Sequence, residues 1–179
     1  MRLDPKYFNV IVGTAGAIAI VLIGIFTISY FSGQQSEFKE KVGDGSEFRE
    51  MNFETIGDQN DKVSVADYAG QPVLVDFWAT WSQRSQLPHE KLAELQREHP
   101  NLVIISALVK DDHDAIAPYR EEHDLDFIFV EGTDVYQEYL VPGIPAYLFF
   151  DSNGEIVDVV VGFRGIDDFD NFISYLEEN

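Results

Sequence analysis

The chain of 179 residues contains no cysteine. That absence excludes a disulfide framework, a cysteine-ligated metal site and a thiol nucleophile on this chain. It leaves the compartment open, because a chain without thiols suits any redox environment. Sulfur occurs only in the thioethers of Met1 and Met51, which do not enter disulfide exchange. Positive charge is scarce as well. There are 12 lysines and arginines against 32 aspartates and glutamates, a formal net charge of −20. Arg2 and Lys6 against Asp4 put the first 32 residues at +1, so the remainder carries −21. A surface that acidic repels nucleic acid, so no nucleic-acid partner is expected. It reads either as a solvated acidic shell or as a docking face for a basic partner, and acidity alone does not separate the two. No G-x-G-x-x-G or Walker-type loop occurs, so no nucleotide cofactor is expected. His89, His99, His113 and His123 are irregularly spaced and lack the partners of a ligand motif. They are expected on the surfaces of acidic helices, with no metal bound.

Charge is also missing from residues 8–31, "FNVIVGTAGAIAIVLIGIFTISYF". These 24 residues exceed the roughly 20 that carry a helix across a bilayer. The run is apolar all round, without the polar face that a core helix shows at helical spacing. Tyr7, Tyr30 and Phe31 stand near its ends, where aromatic rings favour the interface. A cleaved signal peptide has a shorter apolar region and a small-residue cleavage site. Neither is present, so 8–31 reads as an uncleaved signal anchor. Arg2 and Lys6 precede it, which predicts residues 1–7 in the cytoplasm and the rest of the chain extracytoplasmic, periplasmic in a Gram-negative bacterium. Residues 32–50, "SGQQSEFKEKVGDGSEFRE", read as a polar tether with room for a short helical stretch.

From residue 51 the pattern alternates between strands and helices. "MNFETIG" (51–57) reads as an edge strand, "DQND" (58–61) as a turn, and "KVSVADYAG" as a short strand and a helical turn closed by Gly70. "PVLVDFWA" (72–79) and "NLVIISALV" (101–109) are nearly continuous apolar runs, as in strands buried on both faces. "QLPHEKLAELQREH" (86–99) sets Leu87, Leu92 and Leu95 at helical spacing, and Pro100 ends it. Residues 114–124 are predicted helical, with Asp111, Asp112 and Asp114 near the start, where negative charge suits the helix dipole. Strands are predicted at 127–130, 146–150 and 155–162, the last two joined by the turn "DSNG". A closing helix at 167–178 lines up Phe169, Phe172, Ile173 and Leu176. The order predicts an α/β domain over 51–179: a mixed central sheet with parallel pairs, helices on both faces and an antiparallel edge.

"PVLVDFWATW" followed by Ser82-Gln83-Arg84-Ser85, and later "VPGIPAYLFFDSNGEIV", resembles the thioredoxin-like superfamily. The likeness is to its membrane-tethered branch related to TlpA and ResA, which are bacterial thiol–disulfide oxidoreductases. It extends over about residues 51–179. It implies a thioredoxin-like fold, with Pro145 as the cis-proline in a loop that faces the active-site turn. It also places Ser82 and Ser85 at the two active-site cysteines, and Asp76 at the buried aspartate that relays a proton to the resolving cysteine. Two features depart from the pattern. The cysteines are serines, and Pro88 stands three residues after Ser85 where the family has its proline five after the second cysteine.

Disulfide exchange needs a thiolate that attacks a disulfide sulfur. A helix N-terminus lowers a thiol pKa from about 8.5 to as little as about 3.5; a serine hydroxyl there stays protonated, and its oxygen forms no S–S bond. The chain therefore reads as a redox-inactive relative, with Asp76 left as a relay without a client. Trp78, Trp81, Arg84, Ile144 and Pro145 are expected to rim a groove for an extracytoplasmic protein or peptide. Ser82 and Ser85 would offer hydrogen bonds there. Paired with His89, a serine nucleophile would still need an oxyanion hole and an oriented base, and no sequence feature supplies them. The alternative is an active oxidoreductase, of the type serving cytochrome c maturation, whose cysteines were exchanged for serine. Gln83-Arg84 in place of the common Gly-Pro speaks for natural divergence instead.

Overall fold

A computed structural model describes residues 5–57 and 61–178. The apolar run at 73–78 is the middle of the fold: β3 (Val73–Trp78) is buried at every position. It pairs in parallel with β4 (Val103–Leu108), and β4 pairs in parallel with β5 (Ile128–Glu131). On its other side β3 pairs antiparallel with β6 (Ala146–Phe150), which pairs antiparallel with β7 (Ile156–Val161). Two short strands, β1 (Phe53–Thr55) and β2 (Lys62–Val63), extend the sheet beyond β5. The order is β2-β1-β5-β4-β3-β6-β7. The mixed sheet predicted from the alternation of apolar runs, and the thioredoxin-like fold that the resemblance implies, are thus observed. The turn expected at 58–61 lies largely outside the described residues.

Helices cover both faces. Leu74, Trp78, Ile104, Leu108, Tyr147 and Phe149 point to one side, where α4 (His89–Glu98), α5 (Ile116–His123) and α7 (Asp170–Glu178) pack. The expected stripe Phe169, Phe172 and Leu176 is buried there. Val73, Val75, Phe77, Ile105, Leu148 and Phe150 point to the other side. That face is covered by α6 (Thr133–Glu138) and by the segment ahead of β1.

The segment ahead of β1 differs from the polar tether expected at 32–50. The first helix, α1 (Pro5–Val42), runs unbroken from the apolar span through these residues, and α2 (Ser46–Arg49) follows. Residues Val12–Val42 make it long and apolar enough to cross a membrane. Phe38, Val42 and Phe48 are buried in the core, with Phe48 against Phe53, Phe77, Tyr139 and Phe150. The composition of 32–50 is polar because the other faces of the helix are wet; one stripe is not. Gly45 makes the tight link between α1 and α2. Its φ is +80°, a conformation that costs a side chain roughly 1–2 kcal/mol, and an added Cβ would lie 2.5 Å from Ile156 Cγ1.

The helix predicted over 86–99 is two. A short α3 (Gln83–Gln86) opens after the serine turn, and α4 starts afresh behind Pro88. A proline has no N–H to continue the ladder, and here Leu87 and Pro88 themselves keep right-handed helical backbone. Leu87 is exposed and does not join the buried stripe of Leu92 and Leu95.

Candidate functional site at the end of the central strand

Beyond Trp78 the chain leaves the sheet in a turn, Ala79–Ser82, that leads into α3. The turn is braced from three sides. The N–H and the hydroxyl of Thr80 both donate to Asp111 Oδ2, the hydroxyl at 2.7 Å. The Gln86 side-chain amide donates to Thr80 O, and the Trp81 indole N–H donates to Lys110 O at 3.2 Å. Burial pushes the Asp111 carboxyl up, but the hydrogen bonds from Thr80 and from the Asp112 N–H outweigh it and hold it below the usual aspartate range. Of the acidic residues expected at the start of α5, only Asp112 takes a capping role, accepting the Asp114 N–H. Asp111 holds the serine turn instead.

The two serines differ. Ser82 is half-buried at the start of α3 and its side chain makes no capping hydrogen bond. Ser85 is completely buried. Its hydroxyl lies 2.8 Å from Ser82 O and 3.1 Å from Ala79 O, and it accepts the Ala79 N–H at 3.3 Å. The Ser85 side chain is a strut inside the turn, with its hydrogen-bonding capacity taken up by backbone.

The Ile144–Pro145 peptide bond is cis. Pro145 precedes Ala146, which pairs with Phe77, so this loop lies beside the serine turn. Between them is a cleft lined by Arg84, Ile144, Pro145 and Val161, and by Phe31 and Gln35 of α1. It holds about 170 Å³, below the roughly 300–1,000 Å³ of small-molecule pockets. Arg84 is its one charged wall. Three of the residues expected at the groove, Arg84, Ile144 and Pro145, are therefore together. The other two are not. Trp81 is exposed on the β4 side of the turn, tied to Lys110. Trp78 is fully buried and packs on His89, Tyr119 and Phe129. Alternation along β3 points it, like Leu74 and Asp76, to the α4–α5 side.

Beneath the turn lies a buried polar cluster. Asp76 is fully buried, and so is His89, whose Nε2 is 2.8 Å from Asp76 Oδ2. The other ring nitrogen, Nδ1, is 2.9 Å from the Tyr119 hydroxyl. Asp76 is thus buried with no cysteine beside it, and His89 holds its carboxyl. This also corrects the surface expected for His89, whereas His113 is exposed and pairs with Glu131 at 2.5 Å. The residue is placed by α4, whose buried stripe runs His89, Leu92, Ala93 and Leu95. His89 stands one turn before Leu92, and that spacing was the signal available in the sequence. On the neighbouring strands Ser106 and Tyr147 are the register partners of Asp76. Asp76 Oδ1, Ser106 Oγ, Tyr147 OH and Trp78 Nε1 are buried without a hydrogen-bond partner. Burial in this surrounding pushes the Asp76 carboxyl above the usual aspartate range, against the pull of the His89 contact. Burial also raises the Tyr147 and Tyr119 hydroxyls, with the charge of Asp76 adding to both.

Among the described residues neither serine has a hydrogen bond to a base: the imidazole of His89 is spent on Asp76 and Tyr119. Among the described residues no three histidine or carboxylate side chains gather into a metal site.

Comparisons with known proteins agree with this geometry. The family described as Redoxin matches residues 33–173. Among curated relatives, the thioredoxin-like protein YneN of Bacillus subtilis is 25% identical over 155 residues, covering 83% of this chain and 88% of YneN. The thiol-disulfide oxidoreductase ResA of Bacillus cereus is 26% identical over 149 residues, covering 81% and 84%. Among solved structures, a secreted Mycobacterium tuberculosis disulfide oxidoreductase homologous to E. coli DsbE superposes with a TM-score of 0.62 at 18% identity, over 75% of this chain and 99% of that one. That last likeness is one of fold.

Proposed function

The chain belongs to the Redoxin family, with relatives among thiol–disulfide oxidoreductases of the ResA and DsbE type, and from that premise we propose that it binds polypeptide at its cis-proline cleft without exchanging disulfides. In this reading α1 anchors the chain in the cell membrane by residues 8–31. The domain stands on the extracytoplasmic side, because Arg2 and Lys6 precede the span. The observation that carries the reading is the state of the two serines. No sulfur is available for a mixed disulfide, and the Ser85 hydroxyl is consumed inside the turn. What persists is the recognition half of the site: the cis-proline loop, the braced turn and a shallow cleft with one positive wall at Arg84. A cleft of that size suits a stretch of extended backbone. Arg84 suits a carboxylate or carbonyl on it.

Two measurements test this. In an insulin-reduction assay the protein is expected to give no turnover above buffer. Ser82→Cys with Ser85→Cys is expected to restore it, since Ser82 stands at the N-cap of α3 and Ser85 in its first turn. Turnover by the unaltered chain would overturn the reading. In crosslinking capture from native membranes, Arg84→Glu and Ile144→Asp should each reduce recovery of the bound polypeptide about tenfold, the equivalent of ~1.4 kcal/mol. Recovery that neither substitution changes would place binding elsewhere.

A further inference from the structure

The path of α1 across the domain fixes which end of the sheet faces the anchor. Phe31 and Gln35 line the cleft with Arg84 and Pro145. Gln35 and Lys39 lie along Val159–Val161 of the edge strand β7. Gly45 abuts Phe150 and Ile156, at the opposite end of β6 and β7. The helix therefore runs the length of the sheet from the cleft end to the far end, and its apolar span leaves the domain at the cleft end. The uncharged run ends at Phe31. Gln35 follows one turn later, about 6 Å along the axis. At 1.5 Å per residue the run from 8 to 31 is about 36 Å long, slightly more than the ~30 Å hydrocarbon core. Phe31 thus falls in the interfacial layer.

The same end carries unpartnered apolar side chains. Outside α1, the large hydrophobic residues exposed among the described residues are Trp81, Leu87, Leu140 and Ile166. Trp81 is in the serine turn, Leu87 follows α3, and Ile166 comes four residues after Gly162 of the cleft. Leu140 lies two residues before Pro142 of the cleft. Tryptophan favours the membrane interface, where its ring is buried and its N–H stays bonded; here the indole N–H has Lys110 O. Charge does not favour the contact, since Arg84, Lys110 and Arg164 on these segments stand against Asp111, Asp112, Asp114, Asp167 and Asp168.

We infer that the cleft end of the domain rests on the bilayer that α1 crosses, with Trp81, Leu87 and Ile166 set in its headgroup layer. The inference rests on the anchor reading proposed above. It adds that the domain is mounted rigidly, without a free tether, and that the cleft opens at the lipid surface. A polypeptide admitted to it is then one that lies along the membrane.

The test uses the full chain reconstituted in phosphatidylcholine vesicles, because the contact needs no anionic lipid. The chain has two tryptophans: Trp81 is exposed and Trp78 is sealed in the core. With phosphatidylcholine brominated near the head of its acyl chains, the protein should lose the Trp81 share of its emission and keep that of Trp78. Trp81→Phe should remove the quenched component. Leu87→Glu with Ile166→Glu, which puts two charges on the same face, should relieve the quenching while Trp81 remains. Resistance to alkaline carbonate extraction is scored in parallel. A chain that resists extraction but whose Trp81 is not quenched overturns this inference alone, and leaves the apolar end to a protein partner. A chain that is extracted overturns the anchor reading and the inference with it.

Discussion

Replacing His89 by alanine should destabilise the domain by about 3–5 kcal/mol, the usual cost of removing one partner from a buried ionisable pair. Asp76 Oδ1 already has no partner. Without the imidazole, Oδ2 loses its contact too, and a carboxyl group is left unbonded in the middle of the sheet. Tyr119 loses its partner at Nδ1 in the same step. Removing both members should cost less than the sum of the single changes, because the burial penalty of Asp76 leaves with Asp76. Urea unfolding of His89→Ala, Asp76→Ala and the double variant reads that coupling directly. A His89→Ala variant within about 0.5 kcal/mol of the parent, the range of an ordinary surface change, would mean that the pair is not buried. The pH dependence has a definite sign. Burial holds the Asp76 pKa above its ordinary value of 3.8 in the folded chain, so the folded state keeps a proton that the unfolded state releases. The stabilisation from that proton is complete below the ordinary aspartate range and is lost as pH rises through the folded-state value. Asp76→Asn cannot titrate, so the advantage of the parent over this variant should shrink with rising pH.

A fragment beginning at residue 51 should fail to show a cooperative thermal transition, whereas one beginning at residue 32 should melt as the intact domain does. The difference between them is α2 and the last turns of α1, which carry Phe38, Val42 and Phe48. Truncating a buried phenylalanine to alanine costs about 3–5 kcal/mol. Loss of Phe38 and Phe48 together with Val42 is therefore comparable with the whole stability of a typical domain, about 5–15 kcal/mol. Phe48 alone contacts four aromatic rings, from β1, β3, β6 and the residue after α6. The Lys41 ammonium donates to Glu138 O at 2.6 Å and ties the same segment to the end of α6. Circular dichroism melts of the two fragments decide the point. Equal midpoints would show that the segment only adheres to a core complete without it.

The strands were legible because burial writes itself into composition. "VLVDFW" and "VIISAL" could be placed only in the middle of a sheet covered on both faces, and the final hairpin announced itself through "DSNG". The positions of Ser82, Ser85, Asp76 and Pro145 followed from the resemblance to the thioredoxin-like superfamily. Trp78 was misplaced because a strand buried on both faces carries no alternation of polarity to say which face a residue takes. His89 was misplaced because an imidazole is at home at the surface and in the core, and only its spacing to Leu92 tells the two apart.

What the sequence determined by itself is chemical: the chain has no cysteine to enter a mixed disulfide, and a stretch of 24 uncharged residues is apolar enough to span a bilayer. What the tertiary structure decided is which groups meet. Residues 32–50 looked like a tether because their average composition is polar, yet folding selects single faces of a helix, and the face holding Phe38 and Val42 is core. The partner of Asp76 lies 13 residues away in the chain, and only the packing of α4's buried stripe against the sheet brings His89 to it. Averages over a segment are set by composition; contacts are set by direction, and direction is fixed only when the elements pack.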